Sequence, residues 1–174
     1  MFEDESGFML QPSRRRTWAP RGKTPVQYAW DRHDRLSAIS AITVSPRRRK
    51  IGLYFRVQPQ NVCAEDLVGF MRQLHGQLGG PVILVWDRSG PHRKAARLLL
   101  RDNPAGLRVE WLPPYAPDLN PTEQCWNHSK YSDLANFLPD DTNELKQAVR
   151  DSFSSQRDDQ NLLRSYFKTA ELRL

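Results

Sequence analysis

The sequence predicts an α/β domain built on a mixed sheet, antiparallel through its first three strands and parallel thereafter, with helices on its flanks. Three observations lead there. Met1–Leu10 reads as a strand, β-branched and aromatic residues concentrate at Leu36–Val44 and Ile51–Val57, and the basic turn Ser45–Lys50 joins the last two as a hairpin. The period then becomes helical: Leu67, Met71, Leu74 and Leu78 form one stripe, stopped by Gly79-Gly80. Finally, Pro81–Trp86 is apolar at every position, the pattern of a strand buried on both faces. A helical stretch and a second strand follow it at lengths that suit a parallel crossover.

Met1–Leu10 opens the chain as a strand. Alternation sets Phe2, Asp4, Ser6 and Phe8 on one face and Glu3, Glu5 and Gly7 on the other, so Asp4 falls among aromatics on the inward side. An acid there is costly unless paired, hydrogen-bonded or bound to metal, which makes Asp4 a candidate functional residue. Gln11–Pro25 is a basic loop bounded by prolines, and a further strand is expected at Val26–Trp30. Ala64–Leu78 is the first helix, and its apolar stripe belongs to the core. The central strand ends in Asp87, at the position where open α/β sheets place ligands. Arg88–Gly90 turns the chain, Pro91 starts a helix that ends near Leu100, and Leu107–Leu112 is the next strand.

Pro113, Pro114, Pro117 and Pro121 exclude helix from Leu112–Asn120 and make it a stiff loop. Asn120 then reads as an N-cap, with Pro121 at the first helical position and Glu123 in the first turn. Asn-Pro-x-Glu has two uses: a capping box in which Glu123 only satisfies a backbone N–H, or a mount for a functional carboxylate. The Glu123 helix is expected to reach Ala135. Pro139-Asp140-Asp141 introduces another, with Leu145, Ala148, Val149, Ser152 and Phe153 on one face, and Leu162, Leu163, Tyr166 and Phe167 mark a short last helix.

At 174 residues and 20.2 kDa the chain has the length of one domain. Its net charge of +6 and pI near 9.6 favour a polyanionic partner. The excess is concentrated in two clusters, Arg14, Arg15, Arg16, Arg21 and Lys23, then Arg47, Arg48, Arg49 and Lys50. Either cluster alone reads equally as a solvated turn; two in one small domain point to phosphate contacts. Cys63 and Cys125 lie far apart with no metal-binding spacing and no secretory leader before them, so a reducing cytosol is expected. No apolar run approaches the ~18 residues of a membrane span.

Asp4, Asp87 and Glu123 stand out as three acids that a sheet with a crossover can bring together. Clustered carboxylates raise one another's pKa unless a hard cation sits between them, and Mg²⁺ or Mn²⁺ suits such oxygen donors. Two such ions, ~3.5–4 Å apart, activate water on one side of a phosphodiester and stabilise the leaving oxygen on the other.

The order FEDESGF, LVWDRSGPHR, LPPYAPDLNPTEQCWNHSK, LANFLPDDTNEL resembles the DDE transposases of the mariner superfamily, in the branch found in bacterial insertion sequences. The 35 residues between Asp87 and Glu123 are similar to the family spacing, and RRTWAPRGKTPV and LYFRVQP extend the resemblance over nearly the whole chain. It implies a ribonuclease-H-like fold in which the strand of the first acid lies beside and parallel to that of the second. It also implies that Asp4, Asp87 and Glu123 are the catalytic, metal-binding triad, holding two Mg²⁺ or Mn²⁺ ions. His92 matches a histidine of the family's second motif and is expected behind the metal ligands or near DNA; a histidine near a helix start needs no such role. Trp126 is expected in the core, Asn120 to order the turn before Glu123, and the basic loop around Arg14–Lys23 to contact DNA.

Three departures from the family pattern stand beside this resemblance. Arg88 replaces an asparagine and sets a cation next to the site. Ser129 replaces an apolar residue and is expected to weaken packing of the Glu123 helix. The family's N-terminal helix-turn-helix region is absent from these 174 residues, and three residues precede Asp4, so the chain is expected to be an N-terminally truncated catalytic domain with a clipped first strand. The function implied is cleavage and strand transfer in DNA transposition, in the nucleoid-associated cytoplasm, with another transposase subunit or the product of an upstream frame as partner. The alternative is an inactive remnant that only binds DNA or a transposase.

Overall fold

The computed structural model describes residues 1–28, 34–101, 106–114 and 116–174. Its centre is a five-stranded sheet in the order β3-β2-β1-β4-β5, formed by β1 (Phe2–Met9), β2 (Arg35–Val44), β3 (Ile51–Gln58), β4 (Val82–Trp86) and β5 (Leu107–Trp111). β1 and β2 pair antiparallel with Asp4 opposite Ser40, and β2 and β3 pair antiparallel through the hairpin turn. β1 pairs parallel with β4, Phe2 opposite Val85, and β4 pairs parallel with β5. β1 is therefore the central strand, with eight residues rather than a clipped few. Its pairing with β4 begins at Met1, whose ammonium donates to Ile83 O and whose carbonyl accepts from Val85 N.

Helices cover both faces. α1 (Ala64–Leu78) and α2 (Gly90–Arg101) bury Leu67, Phe70, Met71, Leu74, Ala95, Ala96 and Leu99 against Ile39, Ala41, Leu84 and Trp86. α1 stops where Gly79 takes φ 64°, a left-handed conformation that costs glycine little. On the opposite face α3 (Pro121–His128), α4 (Thr142–Asp158) and α5 (Gln160–Thr169) pack Trp126, Val149, Phe153 and Phe167 on Phe8, Ala38 and Ile42. Trp126 lies in this core, 5.2 Å from Phe153 between ring centroids. Both faces are covered, so in the middle of β1 Glu3 is fully buried and Asp4, Glu5 and Ser6 are half-buried.

The structure departs from the sequence-based expectations in three places. Val26–Tyr28 is not a strand: it is exposed chain, and Ala29 and Trp30 lie outside the described residues. β1 bonds directly to β2, so the segment between them adds no strand to the hairpin despite its β-branched and aromatic composition. Within the proline loop, Pro117–Leu119 forms a single 3₁₀ turn, which tolerates Pro117 at its first position. The Glu123 helix changes at Ser129 into a π turn over Ser129–Asp133. Ser129, expected to loosen this helix, is fully buried. Its Oγ lies 2.7 Å from Ser152 Oγ and accepts from Gln156 Nε2 at 2.8 Å, while Gln156 Oε1 accepts from Tyr166 OH. A satisfied polar network therefore replaces the apolar contact.

Candidate active site

Strand register brings the first two acids together. Phe2 faces Val85 on parallel strands, so two residues further along each strand Asp4 comes opposite Asp87, the residue just after β4. The third acid arrives from the other side of a fixed turn. Asn120 caps α3 by accepting from Thr122 N at 3.1 Å, and its own N–H bonds Pro117 O at 2.8 Å. Glu123 is therefore not folded back as a capping box, and its carboxylate makes no hydrogen bond among the described residues. Asn120 Nδ2 donates to Asp4 Oδ2 at 3.3 Å, so the cap of α3 is tied to β1.

Asp4, Asp87 and Glu123 line one open cleft of about 410 Å³ with Arg88, Ser89, Asn120 and the proline loop from Leu112 to Pro117, Tyr115 lying outside the described residues. Burial, then the charge of Glu123, push the Asp4 carboxyl well above the usual carboxylate range. The hydrogen bond from His92 and then the Ser89 N–H pull Asp87 down to about 2. Lys130 donates to Ser6 Oγ at 2.7 Å and stands over the Phe8 ring; burial lowers its pKa, against the pull of Glu123 and Asp4. The three acids offer only carboxylate oxygens, and the charge of Glu123 adds to burial in raising the Asp4 pKa. That donor set and that repulsion fit a hard divalent cation.

The reverse face of β1 carries an arrangement that sequence reasoning missed. Glu3 is fully buried and its Oε2 accepts from Trp86 Nε1; Glu5 Oε2 lies 2.8 Å from His92 Nε2. His92, 1% exposed, stacks on Trp86 with ring centroids 4.9 Å apart and planes 8° from parallel, and its Nδ1 bonds Asp87 Oδ1. Burial works against its charge, but the contacts with Asp87 and Glu5 and the field of Glu3 raise its pKa to about 10. Burial, then Glu5, push Glu3 well above the ordinary range. Ligand atoms of Glu3, Glu5 and His92 lie within 4.8 Å of one another, but the Glu5–His92 pair is already in ion-pair contact. The available signal was that acids in a strand covered on both faces need a partner on each.

The two basic clusters lie in separate connections of the sheet. Arg14, Arg15, Arg16, Arg21 and Lys23 lie exposed on the β1–β2 connection, with Arg15 N bonded to Asn136 Oδ1 and its guanidinium 5.0 Å from the Tyr131 ring centre. Arg47, Arg48, Arg49 and Lys50 are exposed in the β2–β3 turn, with Arg49 O accepting from Arg164.

A mixed sheet of this order, with acids converging from β1, the end of β4 and the start of α3, defines a ribonuclease-H-like fold. The family model of the DDE superfamily endonuclease matches residues 1–146, and the chain belongs to that family. Among solved structures it is similar to the Mos1 transposase paired-end complex with left transposon end, at 21% identity and TM-score 0.68, over 98% of this chain and 52% of that one. The Mos1 mariner paired end complex with Mn gives 20% identity and TM-score 0.68, over 98% and 52%. The catalytic domain of Mos1 mariner transposase gives 18% identity and TM-score 0.60, over 98% and 76%. The chain thus spans about half the length of the Mos1 chains in the two complexes. No curated protein matches it.

Proposed function

We propose that this chain is the catalytic domain of a transposase of the bacterial insertion-sequence branch, cleaving DNA and joining its 3′ ends to a target. The observation that carries the reading is the convergence of Asp4, Asp87 and Glu123 on one open cleft. These three carboxylates hold Mg²⁺ or Mn²⁺, two ions in the working site. Bound there, the ions supply charge to activate the attacking oxygen and to stabilise the leaving one.

The protein's own residues prepare this chemistry. Asn120 orients Asp4 while capping the helix that presents Glu123, so two acids share one support. Pro113, Pro114 and Pro117 give the cleft one wall with little conformational freedom to lose when DNA binds. Arg88, exposed on the cleft rim, is placed to meet a phosphate. The exposed cations of the β1–β2 connection and of the β2–β3 turn hold the duplex by its phosphates, without reading its sequence. The whole protein works at nucleoid DNA with a second transposase subunit.

The test is nicking of supercoiled DNA with Mg²⁺ or Mn²⁺ by the protein and by Asp87→Asn. Metal-dependent nicking that the substitution removes is expected; equal activity in both proteins refutes the catalytic reading and leaves a DNA-binding remnant.

A further inference from the structure

We infer that Glu5, acting through His92, is a positioning residue for Asp87, an inference that rests on the reading of Asp87 as a metal ligand. Asp87 lies just beyond the last residue of β4, and its side chain is 53% exposed. Among the described residues, two groups hold its carboxylate: Ser89 N at 2.9 Å and His92 Nδ1, both on Oδ1. Oδ2 has no partner among the described residues, so it is the oxygen left for a cation. The direction of Oδ2 therefore follows the His92 ring.

That ring is fixed on three sides. Trp86 covers one face, which leaves only rotation in the ring plane and sliding across the indole. Contacts at both nitrogens oppose these motions: Nδ1 meets Asp87, and Nε2 is in ion-pair contact with Glu5 Oε2 at 2.8 Å. Glu3 is 3.5 Å from Nε2 and its nearer oxygen is already bonded to Trp86, so Glu5 is the closer anchor. A carboxylate–histidine–carboxylate chain thus crosses from β1 to the end of β4. It uses the face of β1 opposite the one that carries Asp4, so one strand supplies a ligand forward and the support of another ligand behind. Groups that orient metal ligands in this way contribute about 10–100-fold to metal affinity or activity.

The experiment measures Mn²⁺ binding to the metal-free protein by the electron paramagnetic resonance signal of free Mn²⁺, without DNA, after circular dichroism and thermal unfolding confirm folding. Glu5→Leu is expected to weaken Mn²⁺ binding about tenfold, and Glu5→Gln, which keeps an oxygen toward His92 Nε2, to restore it to within about threefold. His92→Phe keeps the stacked ring but neither nitrogen, and is expected to lose as much as Glu5→Leu or more; should it fail to fold, the Glu5 pair decides alone. Asp87→Asn is the reference. If Asp87→Asn weakens Mn²⁺ binding and Glu5→Leu does not, positioning by Glu5 is overturned while the metal site stands. If Glu5→Gln loses as much as Glu5→Leu, the charge of Glu5 matters rather than its hold on His92, and the inference again fails. If Asp87→Asn binds Mn²⁺ like the parent, the metal-site reading falls and takes the inference with it.

Discussion

The two faces of β1 carry acids one residue apart, and the protein treats them in opposite ways. On the face toward α3, Asp4 meets Glu123 across an open cleft with an amide, Asn120, as its nearest side-chain partner. On the face toward α2, Glu3 and Glu5 meet an imidazole closed off from solvent and stacked on Trp86. One face repels itself and is open; the other carries its own counter-charge and is shut. The contrast separates a place prepared to receive a cation from one that already has it, although both are clusters of carboxylates in the same strand.

The largest way to break this comparison is on the open face. Asp4→Asn and Asp87→Asn each remove a carboxylate of the proposed metal site without changing side-chain size, and each is expected to lower metal-dependent DNA cleavage on the order of 10⁴-fold, the scale seen when one member of a catalytic set is removed. Both variants should stay folded, because neither carboxylate sits alone in the apolar core. Nicking rates beside thermal unfolding curves check this, and a variant cleaving within tenfold of the parent would remove its residue from the triad.

On the closed face the same kind of change should strike stability instead. His92→Phe leaves Glu3, Glu5 and Asp87 without the cation that faces them, and breaking a buried pair by removing one partner costs about 3–5 kcal/mol. Urea unfolding reads this directly. A loss below about 1 kcal/mol would mean the face is not held together by charge.

Support of the open face comes from behind α3 and is smaller in scale. Ser129→Leu restores the apolar residue that family resemblance suggests. It also strips a partner from Ser152 and Gln156, which are buried, so a cost of about 1–3 kcal/mol is expected. An unchanged or raised unfolding midpoint would show that the polar network is dispensable.

Much of this molecule was legible in its sequence. Period changes located the β2–β3 hairpin and α1, where the apolar pattern matches the burial it meets; the run ending at Trp86 located β4 and the crossover to β5, although Ile83 is exposed rather than buried. Prolines 113 to 121 marked the loop, and Asn120 marked the cap. What could not be read was the use of the reverse face. Alternation says which residues share a side, yet only the stacking of helices on both sides shows that Glu3 and Glu5 also point inward. Val26–Tyr28 misled for the converse reason: strand-like composition says nothing about whether a sheet edge is free. The polar network behind Ser129 was invisible because its partners, Ser152, Gln156 and Tyr166, lie 23 to 37 positions away.

The smallest expected effect sharpens the comparison most, because it asks how the closed face balances its charge. His92 is one cation among three carboxyl groups, and burial followed by the charge of Glu5 raises the Glu3 pKa well above its ordinary value, outweighing His92 and the Trp86 hydrogen bond. A carboxyl whose pKa is raised on folding binds its proton more tightly in the folded state. Stability is therefore unaffected below the unfolded pKa of about 4.3 and falls as pH rises above it toward the folded value. Glu3→Gln keeps an oxygen for Trp86 and does not titrate, so its unfolding temperature should fall less than the parent's as the pH rises above the unfolded carboxyl pKa of about 4.3. Asp4 carries a raised pKa in both proteins and cancels from the difference. Parallel pH profiles would mean that Glu3 is ionised and shares His92 with Glu5 and Asp87. The closed face would then have an excess of negative charge, and its distinction from the open face would be one of access rather than of charge.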